Sequence, residues 1–280
     1  MFPGLPDEVR ERIQRIDVPF NAYGLDRFGI SRDTIAWFYG LLTPFYRQYF
    51  QIQTQGIEHV PKAGRAMVIG NHSGGIPVDA SMVMASLFLD MEPPRHTHGM
   101  VEKFAQKWPI VSQIFSRMGQ LAGLPEHAVQ LLEAERILLV FPEGARGTGK
   151  LYQDRYRLVR FGSGFMRLAL ETKTPIVPFA FVGGEEALPT IVHSRLLAQL
   201  TGAPYWPIPP WIVPWPMPVS CRIHYGEPMT FEGDGTESDE VIEAFVQQVR
   251  DRITELMREG LEALDLPIPD HLGMDLEDPP

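Results

Sequence analysis

The sequence predicts an α/β fold: a mixed, partly parallel sheet flanked by helices, with a helical segment at the N-terminus. Three observations carry this. Wholly apolar runs of five to seven residues recur at Ala66 to Gly70, Ile137 to Phe141 and Ile176 to Val182, as strands buried on both faces do. Stretches with helical apolar spacing lie between them, and that alternation implies parallel pairing. Finally, 44% hydrophobic and 21% charged residues over 280 positions describe a globular chain with material for a large core.

In chain order, Pro6 to Ile16 carries Val9, Ile13 and Ile16 at i, i+4, i+7, a short amphipathic helix. Ser31 is a suitable N-cap for a helix over Asp33 to Phe50, rich in aromatics. A strand within Tyr49 to Ile57, a turn at Val60 to Gly64 and the Ala66 strand follow. Helices are expected at Asp79 to Leu89, Lys103 to Met118 with a break at Pro109, and Pro125 to Arg136. The Ile137 strand, a helix at Phe161 to Thr172, the Ile176 strand, a strand at Cys221 to Tyr225 and a helix at Asp239 to Leu264 complete the series. The expected organisation is an N-terminal helical, membrane-interfacial segment over 1–48, an α/β domain over 49–265, and a mobile acidic tail over 266–280.

The net charge of −10 argues against nucleic acid as a partner. It is unevenly placed: residues 1–230 hold 22 basic and 20 acidic side chains, and the acidic excess falls in the last 50 residues. The most basic window, Arg146 to Arg167, holds six basic residues and one acid, Asp154. Anionic ligands are therefore compatible with the first 230 residues. A single cysteine, Cys221, excludes an internal disulfide and points to a reducing compartment.

Met1-Phe2-Pro3-Gly4 does not begin a secretory signal. The longest apolar run, Ala36 to Tyr46, is 11 residues, short of the ~18–20 a spanning helix needs. The expectation is a peripheral protein on the cytoplasmic side of a membrane. Two segments could touch it: the aromatic helix, and Tyr205 to Val219, which has six prolines and Trp206, Trp211 and Trp215. Packing of either against the protein's own core is an equally open reading.

In such a sheet, functional residues belong just past the carboxyl ends of strands. Asn71-His72-Ser73-Gly74-Gly75-Ile76-Pro77-Val78-Asp79 follows the first strand, and Pro142-Glu143-Gly144-Ala145-Arg146-Gly147 follows the second. Both set ionisable side chains beside glycines, where backbone can approach a ligand. With Glu102-Lys103-Phe104 and Pro175-Ile176-Val177-Pro178, they form four ordered blocks over roughly residues 50–230. This arrangement resembles the glycerolipid acyltransferases, including the 1-acyl-glycerol-3-phosphate acyltransferases.

The resemblance implies transfer of a fatty acyl group from acyl-CoA or acyl carrier protein to a glycerolipid hydroxyl, without cofactor, metal or covalent enzyme intermediate. His72 would be the base, since a neutral imidazole suits that role near pH 7. Asp79 would fix its tautomer. Glu143, Gly144, Arg146 and Lys103 would form the acceptor and phosphate site, with Arg146 as a bidentate clamp. Gly74 and Gly75, and the backbone near Gly144, are candidates for the oxyanion.

Two departures stand out. Six residues separate His72 from Asp79 where the family usually has four, so Asp79 either folds back to His72 or only caps the next helix. Ala145 and Gly147 replace the family's usual Thr and Ser, which leaves diacylglycerol or another non-phosphate alcohol as an alternative acceptor. A non-catalytic lipid-binding or scaffolding protein is the rival from another class. A lipase reading fails for want of a G-x-S-x-G elbow. His96 and His98 read as a solvated loop, Glu185 and Glu186 as a strand-end turn, and the apolar residues between Phe104 and Met118 as core. Acceptor identity, chain length and oligomeric state are not set by the sequence.

Overall fold

The computed structural model describes residues 4–73, 76–101, 109–202 and 205–276. The chain begins with α1 (Asp7–Arg12), α2 (Arg32–Pro44), a π-helical turn at Phe45–Tyr49, and β1 (Gln53–Gln55). Next come β2 (Ala66–Gly70), α3 (Val78–Leu89), β3 (Thr97–Val101), α4 (Pro109–Arg117), β4 (Leu121–Ala122) and α5 (Pro125–Glu133). The middle holds β5 (Ile137–Val140), α6 (Ala145–Thr148), β6 (Leu158–Val159), α7 (Gly164–Thr172), β7 (Ile176–Val182) and α8 (Gly184–Ala187). The last part contains β8 (Val192–His193), α9 (Arg195–Thr201), β9 (Pro207–Ile208), β10 (Arg222–Tyr225), α10 (Asp239–Ala263) and β11 (Asp275–Leu276).

Seven strands form the main sheet in the order β1-β10-β7-β2-β5-β3-β4. Among the described residues only the β10–β7 pair of this sheet is antiparallel, so the sheet is mixed and mostly parallel, as the apolar runs predict. Strand β2 lies between β5 and β7, with Ile69 opposite Val140 and Gly70 opposite Phe179. The segments leaving β2, β5 and β7 therefore emerge along one edge.

Alternate strand residues serve two cores. Ala66, Val68, Ile137, Leu139, Val177, Phe179 and Phe181 face one core with residues of α1, α2 and α3, whereas Met67, Ile69, Leu138, Ile176, Ala180 and Val182 face another with residues of α5, α7 and α10. The result is a helix–sheet–helix sandwich. Nine of the 12 residues of α3 are buried, which marks a helix covered on nearly all sides.

The Ser31 Oγ accepts from the Thr34 N–H at 3.3 Å and starts α2 as the sequence suggests. Pro44 lacks an amide to donate, and beyond it the helix widens into the π turn, where the Phe50 N–H reaches the Phe45 carbonyl. Ile35, Tyr39, Leu42 and Tyr46 are buried in the same core as β2 and β7. Residues 4–48 thus share the domain's core rather than forming a separate unit. Among the described residues, no helix is long and apolar enough to cross a membrane.

Two further expectations are corrected. The stretch around His96 and His98 is not a solvated loop: it enters strand β3, and both histidines are buried. Residues 266–276 are not a loose tail. β11 pairs in parallel with β6, Leu272 is buried, Leu266 and Ile268 pack on the second core, and Asp275 forms an ion pair with Arg250. The apolar side chains of that segment outweigh its acidic composition in deciding its place. The basic window also meets the acidic helix: Arg160 pairs with Glu243 and Arg167 with Asp239, each at 2.6 Å.

Candidate active site

The site is built where β2 and β5 end. Asn71 anchors the first exit: its Nδ2 donates to the Phe181 carbonyl at 3.0 Å and its Oδ1 accepts from the Phe181 N–H at 2.8 Å. These bonds replace strand pairing where β2 leaves β7. His72 follows, its ring stacked on Phe141 at 4.0 Å between centroids and 18° between planes. Its side chain is only 12% exposed.

Asp79 lies in the first turn of α3, where a carboxylate is favoured by the helix dipole. Across the longer spacing, Asp79 Oδ2 lies 2.7 Å from His72 Nδ1. The same oxygen accepts from the Ser73 N–H at 2.7 Å, and Oδ1 accepts from the Ala80 N–H at 2.7 Å. Three donors thus compensate a fully buried carboxylate. Because an ionised carboxylate only accepts, His72 Nδ1 carries the proton and Nε2 keeps a lone pair. The helix N-cap is Pro77, so Asp79 does more than cap α3.

The exit from β5 is held by Glu143. Its carboxylate accepts from the His72 N–H at 2.8 Å and the Val159 N–H at 2.8 Å, and pairs with Lys150 Nζ at 3.1 Å. Lys150 also donates to the Arg157 carbonyl at 3.0 Å, and Glu185 Oε1 lies 4.0 Å away. Glu143 and Lys150 are both buried. This differs from the expected acceptor-binding role: the Glu143 oxygens are taken by protein donors, and Glu143 fixes the His72 backbone from behind.

Gly144 has φ 61° and ψ −159°, a region essentially confined to glycine. Its N–H already donates to the Phe141 carbonyl at 2.9 Å, so it is not an oxyanion donor. The one-turn α6 then packs directly on the histidine. A Cβ at Gly147 would lie 2.7 Å from His72 Cβ and 2.8 Å from Glu143 Cβ. The absence of a hydroxyl there follows from this close approach.

Arg146, on that turn, is exposed, with Nη2 3.3 Å from the Arg160 carbonyl. Lys150, in the same basic window, is buried and committed to Glu143 and the Arg157 carbonyl. On α8, Glu186 Oε2 accepts from the Tyr156 hydroxyl at 2.5 Å, and burial raises the pKa of both groups. Lys103, Gly74 and Gly75, expected in the acceptor and oxyanion sites, lie outside the described residues.

His72, Asp79, Glu143, Gly144 and Arg146 are therefore brought together. Sequence reasoning missed the supporting set of Asn71, Phe141 and Lys150. Asn71 and Phe141 lay inside the quoted motifs, and Lys150 is seven residues from Glu143, but nothing in that spacing tells a buried ion pair from a phosphate contact.

A family model described as Acyltransferase matches residues 51–182. An uncharacterized protein of Mycobacterium leprae is 34% identical over 252 residues, covering 86% of this chain and 68% of that protein. A Homo sapiens protein named "DGAT1/2-independent enzyme synthesizing storage lipids" is 26% identical over 220 residues, covering 78% of this chain and 65% of that protein. Among solved structures, the 1-acyl-sn-glycerophosphate acyltransferase PlsC from Thermotoga maritima superposes with a TM-score of 0.55. At 16% identity, covering 84% of this chain and 81% of that one, it bears on the fold.

Proposed function

The chain belongs to the acyltransferase family, and from that premise we propose that it transfers a fatty acyl group from a coenzyme A or carrier-protein thioester to a glycerolipid hydroxyl at a membrane surface, with 1-acyl-glycerol-3-phosphate as acceptor. The observation that carries this is the His72 Nδ1–Asp79 Oδ2 pair at 2.7 Å, set against the turn that bears Arg146.

In this reading the acceptor hydroxyl gives its proton to His72 Nε2 as its oxygen attacks the thioester carbon. Asp79 keeps the ring in the required tautomer and stabilises the imidazolium as it forms, as the carboxylate of a Ser-His-Asp triad does. The tetrahedral oxyanion collapses, the C–S bond breaks, and the imidazolium returns its proton to the leaving thiolate. The substrate alcohol takes the place of a protein nucleophile. Arg146 meets the acceptor phosphate, since guanidinium matches its oxygens bidentately.

A second reading, an acceptor without phosphate such as diacylglycerol, is favoured by one observation. Ala145 and Gly147 supply no hydroxyl beside Arg146, and the space at Gly147 admits none. The storage-lipid relatives point the same way.

One experiment separates the two. Purified protein is incubated with labelled palmitoyl-CoA and lysophosphatidate, glycerol 3-phosphate, lysophospholipids or diacylglycerol, and products are identified by mass. Phosphatidate as main product, with a Michaelis constant for lysophosphatidate raised at least ~10-fold in Arg146→Ala, is expected if the clamp supplies a charge-assisted contact. Triacylglycerol as main product, indifferent to Arg146→Ala, selects the second reading.

A further inference from the structure

Between α8 and β10 the chain makes a long excursion that covers little of either core. It includes the antiparallel β8–β9 pair, helix α9 and a proline-rich loop. Leu196, Leu200, Ile212, Val213, Trp215 and Met217 on it are 46–74% exposed. So much apolar surface on one connection is more than the scatter of single exposed side chains normal for a soluble monomer.

The loop is built to present these residues. Ile212 is held at φ 71°, unfavourable for a β-branched side chain. Its N–H donates to the Pro209 carbonyl at 2.9 Å, and Trp211 Nε1 donates to the Trp215 carbonyl at 2.9 Å. The base of the loop is anchored on the π turn after α2: Trp215 Nε1 donates to the Tyr49 hydroxyl at 3.1 Å, Tyr49 donates to the Pro216 carbonyl at 2.8 Å, and the Trp215 and Phe45 rings lie 6.4 Å apart.

Its other side adjoins the candidate active site. His193 Nε2–H donates to the Gly149 carbonyl at 2.8 Å, and the Tyr205 ring lies 3.2 Å from where a Gly149 Cβ would be. Gly149 is the residue that ends α6, whose Gly147 touches His72.

We propose that this excursion, through residues 188–202 and 205–217 braced on Phe45 and Tyr49, docks on a lipid bilayer and holds the His72 site at its surface. The proposal rests on the lipid-acyl-transfer reading for why a bilayer should be met there. Charge selects the bilayer over a protein partner. From Ala187 to Gly226 there is no Asp or Glu in 40 residues, although the chain carries 35 of them, and Arg195 is exposed. Anionic headgroups would meet no opposing carboxylate on this segment. Three of the five tryptophans lie here, and tryptophan favours the headgroup level.

The test uses the full chain and sedimentable vesicles of phosphatidylcholine alone or with phosphatidylglycerol. The wild type should co-sediment, more strongly with phosphatidylglycerol. Ile212→Glu/Val213→Glu and Leu196→Glu/Leu200→Glu should each lower partitioning at least ~10-fold, because binding scales with inserted apolar area. Their melting temperatures should match the wild type, and Val241→Glu, on α10 over the other face of the sheet, should bind normally. Vesicle binding unaffected by both double variants, no wild-type binding to either vesicle, or loss in these variants of a concentration-dependent self-association would each overturn the proposal. Acyl transfer to a water-soluble short-chain alcohol is measured in parallel. Binding that depends on the excursion, without any transfer, refutes the proposed activity and leaves the surface standing. Transfer with binding independent of the excursion refutes the surface alone.

Discussion

His72 and the pair His96–His98 belong to one sheet, yet they have opposite chemistry. His72 follows β2, where the chain leaves the sheet, with one ring nitrogen on Asp79 and one edge partly open. His96 and His98 sit at and within β3, fully inside. His96 Nδ1 accepts from the Tyr39 hydroxyl at 3.0 Å and its Nε2–H donates to the Met118 carbonyl at 2.9 Å. Burial pushes the pKa of His96 down to about 4 and that of His98 well below its ordinary value, with the neighbouring His96 adding to the effect. In the proposed reaction a histidine becomes a usable base where a strand end supplies a carboxylate and access; two strands away the same side chain is structural.

The strongest way to break this contrast is His72→Ala. Turnover should fall ~100- to 10,000-fold from loss of a general base, with the melting temperature little changed. A steady-state assay with labelled acyl-CoA measures it, and a variant retaining near-wild-type turnover removes His72 from the chemistry.

Lys150→Met sharpens the contrast by showing that the site also contains a charge whose role is support. It strands the buried Glu143 carboxylate, and removing one partner of a buried pair typically costs ~3–5 kcal/mol. Chemical denaturation at pH 7 reads that loss. A shift below ~1 kcal/mol would mean the cluster is better hydrated than its burial indicates.

The smallest expected effect comes from the buried histidines. With the folded pKa of His96 near 4 and an unfolded value of ~6.5, the unfolded chain binds the proton first as pH falls. Stability is therefore fully present above pH ~6.5 and is lost progressively down to pH ~4, by ~3 kcal/mol from His96. Unfolding free energies measured between pH 7 and 4 should show this slope, and His96→Gln should flatten it. An equal slope in the variant would assign the acid sensitivity elsewhere.

Much of the fold was legible because β2, β5 and β7 are continuous apolar runs, a local signal that survives any arrangement of neighbours. Strand β3 was not, because Thr97-His98-Gly99 carries polar groups whose partners, among them Gly119 and Gln120, come from a distant segment. The Pro-Trp loop was recognised as unusual from composition, but its exposure depends on what the core leaves uncovered.

By itself the sequence determined the α/β class, the positions of β2, β5, β7 and β10 along the chain, and the placing of His72 and Glu143 at strand ends. Those follow from the periodicity of burial and from glycines that permit close turns, which act over a few residues. Only the tertiary structure decided that Asp79 reaches His72 across six residues, that Glu143 spends its charge on Lys150, and that Arg160 and Arg167 are paired by the acidic helix. Such pairings depend on distance and on exclusion of water, and both are fixed only when segments far apart in the chain close on one another.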